Sequence, residues 1–119
     1  MRTKTKKLTK ALLLTSVFAG ALCCWSAKAA EAQETFDEHC AACHGKDGKG
    51  QTKMGRLLGV KDCTDSKVQE SFTDAQATKS IKEGVKESGR QKMPAFGDQL
   101  SDDQIKALVK YIRDFKKSK

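Results

Sequence analysis

The sequence contains one proline and few aromatic residues, which make up 6% of its 119 positions. With only nine glycines beside that proline, the composition argues against collagen-like structure and against extensive disorder. Trp25 and Phe18 lie in the first 29 residues, so the rest of the chain has four phenylalanines and one tyrosine for a core. A small domain with so few large apolar side chains commonly needs disulfides, a metal or a cofactor to be stable.

Acidic residues are absent from positions 1–29, where six basic residues occur. The basic start is followed by an apolar run from Ala11 to Trp25 and by the small residues of Ala27-Lys28-Ala29. This order predicts a secretory signal peptide over residues 1–29, cleaved before a domain at 30–119. A retained membrane anchor is the alternative, but the run is shorter than the roughly 20 residues that span a bilayer. We therefore expect an exported, soluble periplasmic protein without stable membrane insertion.

The basic residues of the leader account for most of the charge excess. The chain carries 23 Lys and Arg against 15 Asp and Glu, a net charge of +8. Without positions 1–29 the count is 17 against 15, a net charge of +2. Domains that bind nucleic acids keep a strong basic excess in their folded part, so no nucleic-acid partner is expected.

No alternating run of apolar and polar residues predicts a strand, and the expected fold class is all-α. Apolar or small residues from Ala32 to Cys43 have the spacing of one helix face. Glycines at 45, 48 and 50 are expected to end this helix and to open a flexible loop. A short helical turn is expected near Asp65–Phe72.

Two capping boxes predict the starts of two further helices. Thr73 with Gln76, and Ser101 with Gln104, have the spacing in which each side chain bonds the other residue's backbone N–H. Leu100, before the second box, is placed to pack on the first turn that follows. The last helix carries an apolar stripe composed of Ile105, Leu108, Val109, Ile112 and Phe115.

Three cysteines lie outside the leader, too few for several disulfides. Two of them belong to Cys40-Ala41-Ala42-Cys43-His44, the Cys-x-x-Cys-His pattern of covalent haem c attachment. Two thiols three positions apart at a helix end can add across the two haem vinyl groups, and His44 follows with an imidazole for the iron. A thioredoxin-like redox pair needs a βαβ context, and a zinc site needs a second pair of ligands. The sequence offers neither.

Met93 is the predicted second axial ligand. It precedes Pro94, which biases the residue before it toward extended backbone and leaves the thioether free to point inward. Met54, in the lysine- and glycine-rich loop, is the alternative and is expected to pack rather than to ligate. Lys92 would have to lose its proton and displace Met93. Iron held by His44 and Met93 has no open position for a substrate, so we expect no enzymatic activity.

The residues that carry this pattern resemble those of class I c-type cytochromes, small soluble monohaem carriers of the bacterial and algal type. The resemblance covers roughly residues 31–116. It implies a cytochrome c fold in which the N- and C-terminal helices cross beside a haem-filled core. It also implies that Phe36 packs against the Leu108–Tyr111 segment, and that Ala32 is the small residue where the helices approach closely.

One departure from the family concerns the proximal histidine. In many members a proline carbonyl after the motif receives the histidine N–H, and this chain has no proline between His44 and Met93. A backbone carbonyl of the 50–60 loop is therefore expected to take that place. Cys63, the odd thiol, is expected to be either a small, partly buried residue or one half of an intermolecular disulfide. A monomer is expected.

The function that these residues predict is one-electron transfer between larger redox complexes. Basic residues flank the motif and precede Met93, so they form either a cationic rim for an acidic redox partner or an ordinary solvated face. These residues are Lys46, Lys49, Lys53, Arg56 and Lys92. A cytochrome c subunit of a larger oxidoreductase is the first alternative. A haem enzyme or gas sensor, in which Met93 leaves the iron readily, is the second.

Overall fold

The computed structural model describes residues 20–117, so the basic start and most of the apolar run of the predicted leader lie outside the described residues. The described chain is mainly helical, as predicted, and no helix in it is both long and apolar enough for a bilayer crossing. Its elements are α1 (Gly20–His39), α2 (Ala41–His44), α3 (Lys53–Leu58), α4 (Ser66–Glu70), α5 (Asp74–Glu83), β1 (Val85–Glu87), β2 (Arg90–Met93), α6 (Asp102–Asp114) and a 3₁₀ turn (Phe115–Lys117).

Helices α1 and α6 pack against each other and hold the centre of the core. Phe36 on α1 is 1% exposed, and its ring centroid lies 5.3 Å from those of Tyr111 and Phe115. Ile105 and Leu108 are fully buried in the same cluster. The predicted contact of Phe36 with the last helix is therefore confirmed, and Phe36, Tyr111 and Phe115 form an aromatic group at this crossing.

Both predicted capping boxes are present. The Thr73 hydroxyl accepts from Gln76 N at 3.2 Å, while the Gln76 side chain accepts from Thr73 N at 2.7 Å. Ser101 and Gln104 repeat this exchange at 3.2 and 3.0 Å. These pairs satisfy N–H groups that a helix start leaves without intrahelical partners. The starts of α5 and α6 thus follow from local sequence.

The expectation that the chain has no strand is wrong for residues 85–93, which form an antiparallel hairpin of β1 and β2. Ser88 and Gly89 have φ values of 49° and 74°, the positive pair that a tight two-residue hairpin turn requires. Strands of three and four residues are too short for a period of two to emerge from the sequence. The hairpin ends on Met93, so its pairing fixes the backbone of that residue.

The segment predicted as a flexible loop after the motif contains helix α3. Thr52 caps this helix by accepting from Gly55 N at 2.8 Å, and its hydroxyl donates to the Cys43 carbonyl at 2.9 Å. Gly59 ends it in the left-handed region, with φ of 69°. One side chain therefore starts α3 and also ties it to the end of α2.

Candidate functional site

The predicted attachment motif lies where the first helix breaks. The sequence predicts one helix through Cys43, but α1 ends at His39 and a separate turn, α2, begins at Ala41. Cys40 N still donates to Phe36 O at 2.9 Å, and His44 N donates to Cys40 O at the same distance. The break therefore leaves Cys40 anchored to the α1 core while Cys43 and His44 follow on the next turn.

The thiols of the motif are free, and the environment of Cys40 favours its neutral form. Cys40 is buried, Cys43 is partly buried, and neither is in a disulfide. Burial, with a smaller contribution from the neighbouring Cys43 thiol, raises the pKa of Cys40 to about 11. Burial lowers the pKa of His44, so its imidazole is neutral at neutral pH. Neutral imidazole is the form that donates a lone pair to a metal.

The Nδ1 atom of His44 faces a sulfur rather than a carbonyl. It lies 4.0 Å from Cys63 Sγ, which is the hydrogen-bond partner that residues 20–117 provide for it. The expectation of a carbonyl from the 50–60 loop is therefore wrong. Two carbonyls of that loop bond within it instead: Thr52 O accepts from Arg56 N at 3.0 Å, and Gly55 O accepts from Val60 N at 2.8 Å.

Helix α3 is pressed against the motif through a buried glycine. A Cβ atom on Gly55 would overlap the carbonyl oxygens of both Gly50 and Cys43, far inside van der Waals contact. Gly50 N in turn donates to His44 O at 2.7 Å. The backbone of the motif is thus in direct contact with the following loop, with no side chain between them.

Of the two methionines in the domain, Met93 is the one packed on the core. It is partly buried and lies against the cluster that contains Cys40, Phe96 and Leu100. Met54, on α3, is 44% exposed. Met93 therefore packs against the same apolar cluster that holds the first motif cysteine.

Cys63 is partly buried and packs against the same cluster, as one of its two sequence interpretations predicts. Burial, and to a lesser extent the Asp62 carboxylate, raises the pKa of its thiol. Sequence reasoning did not find its position beside His44. The two residues are 19 positions apart, and no spacing motif links them.

The donor set fits a covalently attached haem. Two free thiols three positions apart, a neutral imidazole and a thioether on an apolar cluster are the groups that haem c takes from a protein with His/Met axial ligation. Within the described residues no group of three or more His, Cys, Asp or Glu is placed to hold a metal ion directly.

Comparison with known proteins points to the same chemistry. Residues 27–112 match the family model described as cytochrome c oxidase, cbb3-type, subunit III. Cytochrome c6 of Leptolyngbya boryana is 33% identical over 90 residues, which cover 74% of this chain and 93% of that protein. A solved structure titled KustC0563 c-type cytochrome is 32% identical with a TM-score of 0.65, and the match covers 71% of this chain and 96% of that one.

The relatives differ in how much of their length this chain spans. The cbb3-type cytochrome c oxidase subunit FixP of Azorhizobium caulinodans is 38% identical over 79 residues, or 66% of this chain. The chain spans only 24% of that subunit's length.

Family membership implies covalently bound haem c with its iron. The chain belongs to the class I c-type cytochromes, a family of haem c electron-transfer proteins.

Proposed function

We propose that the protein is a one-electron carrier in which Cys40 and Cys43 bind haem c through thioether bonds and His44 and Met93 are the axial ligands of the iron. The observation that carries the proposal is the convergence of these groups. Cys40 belongs to the cluster on which Met93 packs, and the His44 ring lies 6.3 Å from Phe36 of that cluster. The proposal includes no catalytic reaction of the protein's own.

When bound, haem c supplies an iron that alternates between two oxidation states. His44 and Met93 would hold the iron in both states, and no ligand position would be left for a substrate. The Met93 thioether is a weak donor, so it favours the reduced iron relative to a second histidine. The buried Phe96 and Leu100 side chains belong to the cluster on which Met93 packs, and they would exclude water from that side of the haem. These roles suit electron transfer with little structural change.

The proposed docking face for a redox partner lies on and beside α3. Lys49, Lys53 and Arg56 form no ion pair within residues 20–117, whereas Lys46 is paired with Asp37 at 3.2 Å and Lys92 with Glu87 at 3.6 Å. Two apolar side chains lie exposed among the unpaired charges: Met54 at 44% and Leu57 at 74%. Unpaired cations around apolar residues suit an acidic partner, and they narrow the cationic rim predicted from the sequence to three residues.

A subunit of a larger oxidoreductase is the second candidate. The cbb3-type family model and the FixP relative favour it. The length of the matched relatives favours the carrier, because the chain spans 93% and 86% of two cytochrome c6 proteins. Purification of the tagged protein under mild conditions distinguishes the two: a carrier elutes alone, as a monomer, whereas a subunit elutes with a larger redox complex.

Export to the periplasm, with cleavage of residues 1–29, is part of the proposal. The described helix α1 runs through Ala27-Lys28-Ala29 without interruption, so processing would shorten it from its N-terminal end. The buried apolar residues Ala32 and Phe36 of α1 lie beyond the cut. The intact mass of the protein from a periplasmic fraction tests this: it should equal residues 30–119 plus one haem.

The spectrum of the purified protein tests the ligands. A pyridine haemochrome of haem c is expected, together with the weak far-red band of Met–iron ligation in the oxidised form. Met93→Ala should abolish that band and allow carbon monoxide to bind the reduced protein, whereas Met54→Ala, the matched control, should change neither. Colourless protein with the mass of the bare polypeptide, or a far-red band that survives Met93→Ala, would contradict the proposal.

A further inference from the structure

The sulfur of Cys63 makes two polar contacts that together define its orientation. It lies 4.0 Å from His44 Nδ1 and 3.8 Å from the Lys61 carbonyl oxygen. A carbonyl oxygen accepts hydrogen bonds only, so the thiol hydrogen is directed to Lys61. The lone pairs of the sulfur are then left to face the imidazole. A thiol that donates in one direction therefore accepts in the other.

The backbone holds this sulfur in place from both sides. Cys63 N donates to Gly48 O at 2.8 Å, and the Gln69 side-chain amide donates to Cys63 O at 2.6 Å. Gln69 is 3% exposed, and the same amide nitrogen donates to Ile112 O on α6 at 2.8 Å. The position of the thiol is thus tied to the motif loop at one end and to the helical core at the other.

We propose that Cys63 is the positioning residue of the proximal histidine, its sulfur accepting the hydrogen bond of His44 Nδ1–H. The proposal rests on the proposed function, because it needs His44 on the iron. A hydrogen on Nδ1 leaves Nε2 with a free lone pair, so the contact selects one of the two neutral tautomers and fixes the plane of the ring. Cys63 therefore acts as the hydrogen-bond acceptor for the proximal histidine, the role that a proline carbonyl has in many members of the family.

The contact should change the reduction potential of the iron in a definite direction. An acceptor on the second nitrogen makes a histidine ligand more basic, and a more basic ligand favours the oxidised iron. Sulfur is a weak acceptor, so this effect is smaller than that of a carbonyl oxygen. Removing the acceptor lowers the basicity of His44 further and favours the reduced iron. The reduction potential should therefore rise when the sulfur is replaced by an apolar group.

The test compares Cys63→Val with Val60→Ala in the haem-loaded protein. Cys63→Val keeps an apolar side chain but has no acceptor, and Cys63→Ala serves in its place if valine does not fit. Val60→Ala removes volume from the same loop at a residue that contacts Gly50 and Gly55 rather than His44. Two quantities are measured: the solvent exchange rate of His44 Nδ1–H by ¹⁵N NMR of the reduced form, and the reduction potential.

In Cys63→Val the exchange rate should increase at least about tenfold, on the scale of lost outer-shell partners at metal sites. The ratio of reduced to oxidised protein at a fixed potential should increase about threefold to tenfold, and tenfold corresponds to 59 mV for one electron. Cys63→Ser keeps a side-chain acceptor, so in both measurements it should stay closer to the wild type than Cys63→Val does. Val60→Ala should match the wild type.

A Cys63→Val protein that matches Val60→Ala in both measurements would overturn the proposal. That result is distinct from a failure of the proposed function. If His44 is not on the iron, the wild-type protein lacks either haem c or the shifted resonances of a haem-bound imidazole. If only the present proposal fails, those resonances are there and do not respond to the replacement of Cys63.

Discussion

The α1–α6 crossing and the segment from Gly45 to Gly59 are stabilised in different ways. At the crossing, Phe36, Ile105 and Leu108 are buried among apolar neighbours on two amphipathic helices. The second segment has no large buried side chain, and its structure depends on backbone atoms in direct contact. Substitutions at the crossing should therefore lower the free energy of unfolding in proportion to the apolar area they remove. In the motif segment, a single added carbon atom should be enough to disrupt the backbone contacts.

The two regions therefore have different roles: the crossing stabilises the fold, and the segment after the motif positions the residues of the site. The crossing supplies buried apolar area, which contributes roughly 25 cal/mol per Å² whatever the detailed packing. The segment after the motif supplies little area, yet it orients the Cys43 carbonyl, the His44 carbonyl and the loop that leads to Cys63. We expect substitutions in the first region to change the free energy of unfolding, and those in the second to change haem attachment as well.

Gly55→Ala should have the largest effect. Alanine normally stabilises a helix interior over glycine by about 1 kcal/mol. Here its Cβ would overlap the carbonyl oxygens of Gly50 and Cys43, which are backbone atoms and cannot move alone. Overpacking of this kind should cost at least about 3 kcal/mol and so reverse the sign. Urea unfolding of the haem-loaded protein measures the loss, and the yield of covalent haem should fall with it.

Gly59→Ala is the matched control for that change. A Cβ at Gly59 meets nothing within 4 Å, so its only cost is the left-handed backbone, with φ of 69°. That cost is about 1–2 kcal/mol. If Gly55→Ala were no worse than Gly59→Ala, the motif and α3 would not be in the close contact described, and the contrast between the two regions would be lost.

Leu108→Ala tests the other region. Leu108 is fully buried on α6, and its truncation should cost about 2–5 kcal/mol through lost apolar burial and the remaining cavity. Leu57→Ala, at a side chain that is 74% exposed, should change the free energy of unfolding by less than about 0.5 kcal/mol. The far-red band should be retained in both variants, because neither residue is a proposed ligand. Equal losses in the two variants would contradict the assignment of the core.

The features that could be predicted from the sequence are those set by neighbouring residues. The capping boxes at Thr73 and Ser101 and the stripe on α6 follow local rules of helix formation. The residues of the attachment motif are contiguous. The signal for Met93 as a proposed ligand is the proline that directly follows it. Each of these signals lies within a few residues, so it does not depend on how the rest of the chain folds.

The features that were missed depend on short elements or on distant contacts. Helix α3 has six residues with Gly55 at its centre, so neither length nor propensity predicts it. The hairpin has only the Ser88-Gly89 turn as its signal, a dipeptide typical of turns. The approach of Cys63 to His44 depends on bonds from Gly48 and Gln69, which tertiary structure brings together. No local pattern carries that information.

Ser101→Ala should have a smaller effect on the crossing. The Ser101 hydroxyl accepts from Gln104 N at the start of α6, and its loss leaves a helix N–H without that partner. Removal of such a cap costs about 1 kcal/mol. Thermal unfolding of the loaded protein measures it, and Ser101→Thr, which keeps a hydroxyl, should recover most of the loss. If Ser101→Thr were as unstable as Ser101→Ala, the loss of stability would come from packing and not from the helix cap.

The ion pair between Lys82 and Asp102 should have the smallest effect, and its pH dependence identifies it. Lys82 Nζ lies 2.7 Å from Asp102 Oδ1, and this hydrogen bond, followed by the lysine charge, holds the pKa of Asp102 below its usual 3.8. Stability from a lowered carboxyl pKa is present above the unfolded value and is lost as the pH falls through the folded one. A double-mutant cycle of Lys82→Gln and Asp102→Asn should therefore give a small favourable coupling at about pH 6 that decreases as the pH falls through the folded pKa of Asp102. Because both side chains are exposed, the coupling should also decrease with added salt. Coupling that does not decrease as the pH falls would mean that α5 and α6 are joined here by contacts other than this charge pair.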